Sequence, residues 1–184
     1  AKVIFRDSSK PFVTKCSFNN VTVAFYDYSE PSVTNCVFDA NTSVYIYSGR
    51  VIPSISEGNN TFLCEKIYLG GYIDVSATLK KFPNVSYYLD GDLRIHKSAT
   101  LTIESGVKVY LQGKRFLVGW AYAESGYLQA NGATFDGGGG ILQFEYTAGG
   151  NLSNCSFSNA KVIFRDSSKP FVTKCSFNNV TVAF

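Results

Sequence analysis

Apolar and polar positions alternate in short stretches that recur at intervals of about 20 residues, a spacing typical of stacked repeats. GNLSNCSFSN from Gly150 aligns with PFVTKCSFNN from Pro170, whose copy begins at Pro11, and with PSVTNCVFDA from Pro31. Three columns of the alignment are apolar: Leu152, Val172 and Val33; Cys155, Cys175 and Cys36; Phe157, Phe177 and Phe38. Polar residues such as Ser153, Thr173 and Thr34 stand between them. A two-residue alternation marks a short strand with one buried face. A recurrence of about 20 residues is one turn of a three-sided coil, so like side chains should ladder along the interior at the ~4.8 Å strand spacing. The ladders expected are Phe157, Phe177 and Phe38, with Cys155, Cys175 and Cys36 beside them. Phe18 and Cys16 occupy the same positions in the copied segment. No 3.6-residue period marks a helical solenoid, and the Leu and Asn pattern of leucine-rich repeats is absent.

A longer repeat encloses the short one. Residues 1–25 and 160–184 are identical letter for letter, so that Ala1 recurs as Ala160 and Phe25 as Phe184. The competing readings are an engineered duplication and a window slightly longer than one unit of a tandem array. The array is the favoured reading, with 1–184 a single continuous solenoid and 160–184 the start of a second unit. A chain without methionine fits an internal piece of a longer protein, as it would a processed N-terminus. The fold class expected is all-β, a right-handed parallel β-helix with about 20–22 residues per coil and about 7–8 coils per unit.

The middle of the unit carries a family resemblance. GDLRIHKSATLTIESGVKVYLQ, from Gly91 to Gln112, and ESGYLQANGATFDGGG, from Glu124 to Gly139, resemble the right-handed, pectin-lyase-like β-helix domains of bacterial and archaeal surface proteins. In that family a TLTI strand, a tight turn, a GVKV strand and a GxLxAxGT rung follow in order. Here they fall at Thr100 to Ile103, Gly106 to Val109 and Gly126 to Thr134, with Ser105 where proline is usual. The resemblance implies the fold and a surface location, and says little about function.

Composition agrees with strands and narrows the partners. Hydrophobic residues make up 45% of the chain, including 15 Phe and 12 Tyr, with 16 Gly, which suits short strands and tight turns. The net charge of +3 comes from 17 basic and 14 acidic residues scattered along the chain. No basic run interleaved with aromatics points to nucleic acid. The longest apolar run, FLVGWAYA at 116–123, is too short to span a bilayer.

Candidate chemistry is sparse, and the chain is read as no enzyme. Alternation would put Asp90 and Asp92 on one strand face, where they could bind calcium or act as an acid pair; a solvated turn is the plainer reading. His96, the single histidine, reads as an exposed turn residue rather than a ligand or base. Gly137 to Gly140 lacks the Lys and Ser/Thr of a phosphate loop and reads as a flexible turn. The five cysteines lack CxxC spacing. Stacked in successive coils, their parallel Cβ vectors would disfavour disulfides, so free thiols are expected. No catalytic, cofactor or metal site is assigned.

Asparagine bears on location. Acceptor sequences for N-glycosylation occur at Asn20, Asn41, Asn59, Asn84, Asn151, Asn154 and Asn179, seven of 13 asparagines, where chance would give roughly two. Turn-rich solenoids also use Asn heavily for conformational reasons. The expectation is a structural repeat protein at the cell surface or outside the cell, forming a stiff stalk or filament by tandem units or head-to-tail stacking. Its partners would be further copies of itself, and glycans. The alternatives are a carbohydrate-binding adhesin or a polysaccharide-active enzyme.

Overall fold

The structure, a computed structural model, describes residues 1–184 as an all-β parallel solenoid of about eight turns, 5% helical. All pairings between its 23 short strands are parallel. The alternation read from the sequence is visible directly. Tyr127–Asn131 alternates exposed and buried positions, as does Thr100–Ile103 with partly exposed ones.

Three columns of strands organise the wall. Column one holds Lys2–Phe5, Thr22–Phe25, Ser43–Ser48, the first halves of Lys66–Ile73 and Ser86–Ile95, then Lys108–Tyr110, Thr134–Asp136, Ser156–Ser158 and Ser176–Asn178. Column two starts from the second halves of the two long strands. It continues through Arg115–Val118, Ile141–Phe144, Lys161–Phe164 and Thr181–Ala183. Column three holds Ala77–Leu79, Thr100–Ile103, Tyr127–Asn131, Gly149–Ser153 and Lys169–Thr173. The first coils instead carry two short sheets. One pairs Phe12–Thr14 with Ser32–Thr34; the other stacks Ser17–Phe18, Val37–Phe38 and Thr61–Phe62.

The interior is one cluster of 41 buried apolar residues, built as ladders. Phe135, Phe157 and Phe177 stack at centroid spacings of 4.9 and 5.1 Å, with Phe177 in the last coil 42% exposed rather than buried as expected; Phe18, Phe38 and Phe62 stack at 4.9 and 4.6 Å. These spacings are the interstrand distance, so the pairing that holds the wall also stacks the rings. Phe157 and Phe177 therefore neighbour one another, but Phe38 lies in a separate ladder with Phe18. The single Phe157–Phe177–Phe38 stack expected from the alignment is corrected on this point. The cause is that the two copies of the repeated segment occupy different columns: Lys2–Phe5 lies in column one, Lys161–Phe164 in column two.

Two features interrupt the regular coils. The chain turns from column one to column two within the long strands, where Asp90, Gly91 and Asp92 stand against Gly70 alone. Gly71 has φ +72, and a Cβ there would lie 2.4 Å from the Tyr47 carbonyl oxygen, so only glycine fits. The second feature is a short helix, Ile52–Glu57, with proline near its start and Ile52 and Ile55 buried. It packs between Ser32–Thr34 and Ala77–Leu79 and takes the place of a strand in that coil. The Ser54 hydroxyl and the Asn60 amide satisfy the backbone of Val33 beneath it.

Candidate functional site

Two outer surfaces gather chemistry. The first is a tyrosine face on column one. Register places Tyr45, Tyr68, Tyr88 and Tyr110 directly over one another. Their centroids are spaced 4.6, 6.1 and 4.6 Å. Tyr47 stacks on Tyr26 at 5.0 Å, and its hydroxyl donates to Asp90. Burial, then the neighbouring phenols, pushes Tyr45 and Tyr88 up; burial, then Asp90, does the same to Tyr47. Tyr45 and Tyr68, and Tyr88 and Tyr110, are stacked within 13° of parallel, whereas Tyr68 and Tyr88 are tilted by 46°. A shallow groove of about 260 Å³ opens beside them, lined by Tyr26, Tyr28, Tyr47, Tyr72, Asp27 and Asp74.

The second surface is a polar cluster where column two meets the loop 119–126. Glu145, only 3% exposed, pairs with Arg94 and with Arg165 at 3.0 Å and accepts from Gln143 at 2.6 Å. Arg94 also lies 4.8 Å over the Trp120 ring and donates to the Gly119 carbonyl. Trp120 packs 5.5 Å from Tyr72 and 5.6 Å from His96. The Glu145 carboxylate is paired with both arginines and accepts from Gln143, and Arg94 links it to the loop through Gly119 and Trp120.

His96 departs from its expected role. It is 8% exposed, not a solvated turn residue, and its Nδ1 lies 2.9 Å from Glu124 Oε2. The partner is distant in sequence and sits one coil up, which is why no local spacing announced it. Asp90 and Asp92 point to separate partners. Asp90 accepts from Tyr47, whereas Asp92 accepts from the Arg115 backbone at 2.9 Å and its guanidinium at 2.8 Å. Burial pushes Asp92 up, but the Arg115 hydrogen bonds outweigh it and hold the carboxyl below its usual range. No group of three or more His, Cys, Asp or Glu side chains is placed to hold a metal ion. In the Gly137 to Gly140 turn the space differs from residue to residue, with nothing within 4 Å of a Cβ on Gly139. A Cβ on Gly137 would lie 2.4 Å from the Asn159 carbonyl oxygen of the next coil.

The cysteines form two stacked pairs, Cys16 with Cys36 and Cys155 with Cys175, and all five thiols, Cys64 included, are unbridged. Each thiol of the upper coil lies near a carbonyl of the coil beneath: Cys36 Sγ 3.5 Å from Val13, Cys175 Sγ 3.4 Å from Leu152. Burial pushes the Cys36, Cys64 and Cys155 thiols up, away from the reactive thiolate.

All seven acceptor asparagines are exposed. Five of them, Asn20, Asn59, Asn84, Asn154 and Asn179, have φ between 51° and 60°, a left-handed conformation that asparagine tolerates better than most residues. Asn154 donates to Asn131 at 2.8 Å, Asn179 to Asn159 at 2.9 Å and Asn59 to Asn35 at 3.1 Å. Corner geometry thus accounts for much of the asparagine content. Asn41 and Asn151 lie outside that explanation. Compared with protein families, curated proteins and solved structures, the chain matches none of them.

Proposed function

We propose that this chain is a structural module of an extracellular or cell-surface repeat protein. Tandem units, each equivalent to residues 1–159, would continue one right-handed solenoid into a stiff stalk or filament. The observation that carries this reading is the repeated segment itself. Residues 1–25 pair with the coil above them and residues 160–184 with the coil below them, with matching left-handed corners at Asp7 and Asp166, Lys15 and Lys174, and Asn20 and Asn179, and a difference at Ser8 and Ser167. The right hand follows from the preference of parallel strand crossovers, and the resemblance of residues 85–140 to surface β-helices supports the location. Exposed acceptor asparagines support glycan attachment. A solenoid is stabilised by nearest-neighbour interfaces, so chains of one, two and three units should show unfolding midpoints that rise with unit number. Equal midpoints would mean independent beads and would overturn the proposal.

A second reading, a carbohydrate-binding adhesin, draws on Tyr72, Trp120 and Tyr122, which are 48%, 43% and 69% exposed around the 119–126 loop. Binding of soluble glycans lost in a Trp120→Ala variant would favour it.

A further inference from the structure

Residues 1–25 and residues 160–184 each form a coil whose first and last strands pair with one another in the same register. Lys2 pairs with Thr22 and Val3 with Val23, as Lys161 pairs with Thr181 and Val162 with Val182. Phe5 stacks on Phe25 at 5.1 Å and Phe164 on Phe184 at 5.6 Å. The two segments are covered from opposite sides. Over the first lie residues 26–39, whose Glu30, Ser32, Val37 and Asp39 amides donate to the Ser9, Pro11, Cys16 and Phe18 carbonyls at 2.9–3.0 Å. Lys10 pairs there with Glu30 at 2.9 Å. The second segment is covered only from below, by the coil of Leu152 and Phe157. A cavity of about 440 Å³ opens on its upper side between Phe164, Val172, Phe177 and Phe184. Phe184 is 96% exposed there, whereas its counterpart Phe25 is 0% exposed.

We infer that the site beneath residues 26–39 accepts either residues 1–25 of its own chain or residues 160–184 of another, so that copies of this chain join head to tail by exchanging the shared segment. The inference rests on the reading that the segment continues one solenoid. In the joined state Tyr26 of one chain follows Phe184 of the other as it follows Phe25 in its own, and its own residues 1–25 are released. Each contact is replaced by its equal, because the sequences are identical. Val172 takes the place of Val13 beside Val33, Phe177 that of Phe18 under Phe38, and Lys169 that of Lys10 beside Glu30. The four carbonyls that receive the amides of residues 26–39 become those of Ser168, Pro170, Cys175 and Phe177.

With the contacts matched, the balance is set by what the exchange covers and frees. Closing the open side of the second segment takes Phe177 and Phe184 out of water, and the released segment regains its backbone freedom. Against these stands the lost translational and rotational freedom of one chain. Exchange of an identical element between protomers is a low-cost route to assembly for this reason. Stacking two chains without exchange fits the geometry less well. Thr181–Ala183 already starts the next coil on its own side. Lys2–Phe5 of an added chain would then land one layer too high for its Phe12–Thr14 to reach Lys169–Thr173. The meeting surfaces would also be copies of one sequence, bringing Lys10 and Lys15 towards Lys169 and Lys174 instead of setting Lys169 beside Glu30.

The test is sedimentation of the 184-residue chain over a range of concentrations, for the parent and for Phe18→Asp and Phe177→Asp, each incubated until the mass distribution is constant. Exchange predicts effects of opposite sign. Phe18→Asp weakens the segment that is released on joining and should lower the concentration of half-assembly about tenfold or more. Phe177→Asp weakens the segment that is donated and should raise it by a similar factor. Both changes lie in end coils, and amide protection across Ser86–Ile95 checks that the rest of each variant stays folded. Weakened assembly in both variants would show plain end stacking and overturn the exchange. Monomers at every concentration in all three proteins would overturn it as well. A two-unit chain, residues 1–184 followed by residues 26–184, then separates the readings. An unfolding midpoint above that of one unit leaves the array reading standing, and equal midpoints overturn both.

Discussion

His96 Nδ1 sits 2.9 Å from Glu124 Oε2 and ties the end of the long strand Ser86–Ile95 to the loop that projects from the coil above. Glu124 is 40% exposed, so solvent screening limits the pair to about 1 kcal/mol or less. Its effect should therefore be local. In His96→Ala, amide hydrogen exchange across residues 119–126 should accelerate while the column strands keep their protection. Unchanged exchange in the loop would show that Trp120 packing alone holds it.

Glu145 is a different case because it is buried between two arginines. Removing one partner of a buried pair costs about 3–5 kcal/mol by leaving a charge uncompensated. Arg165 is half-exposed and can turn to water, so Glu145→Ala should cost about 2–4 kcal/mol by urea unfolding. The double change Glu145→Leu with Arg94→Met should cost less than Glu145→Ala alone, since it removes both charges. A larger cost for the double variant would contradict this reading of the pair.

Asp74 links the fold to pH. Its side chain is 4% exposed and accepts from Arg50 at 2.6 Å, with Lys97 at 3.8 Å. Burial pushes the carboxyl up, but the Arg50 hydrogen bonds and charge, then Lys97, outweigh it and hold it below its usual value. A folded pKa below the unfolded value of about 3.9 means stability that is present above about pH 4 and is lost as pH falls through the folded value. Asp92 is displaced in the same direction. Asp74→Asn should be less stable than the parent near pH 7 and should lose less stability on acidification to about pH 3. Parallel pH–stability curves for the two proteins would remove Asp74 from the explanation.

Gly71 is the backbone position on which the change of column depends. Gly71→Ala would force an L side chain to φ +72 and a Cβ to 2.4 Å from the Tyr47 carbonyl oxygen. The strain alone should cost about 1–3 kcal/mol, with the steric clash added. Gly139, at φ +83 with open space around it, separates the two effects. Gly139→Ala should show only the conformational cost, and equal losses in the two variants by thermal unfolding would contradict the close approach at Gly71.

Much of this architecture was legible in the sequence because a solenoid repeats its physics every coil. The alternation of Leu152, Ser153 and Cys155 against Val172, Thr173 and Cys175 marked strand, face and register together, and Leu152 does pair with Val172. The shift of column was not legible, because Phe38 and Phe177 share similar local surroundings and differ in what stands between the two copies. The helix Ile52–Glu57 and the two-glycine corner stand there, and neither follows the period of the coils. His96 and Glu145 were illegible for a related reason: their partners Glu124, Arg94 and Arg165 lie one or two coils away. The tyrosine face could have been anticipated. Tyr45, Tyr68, Tyr88 and Tyr110 follow one another at close to the length of a single coil.

The central claim is that identical segments continue one solenoid from unit to unit. Small-angle X-ray scattering of chains with one, two and three units measures this directly. A continuous solenoid predicts a maximum dimension that grows linearly, by about 35 Å per added unit, with a constant cross-section. Growth well below that increment, or a cross-section that widens with unit number, would show that the units fold back or hang as separate bodies and would contradict it.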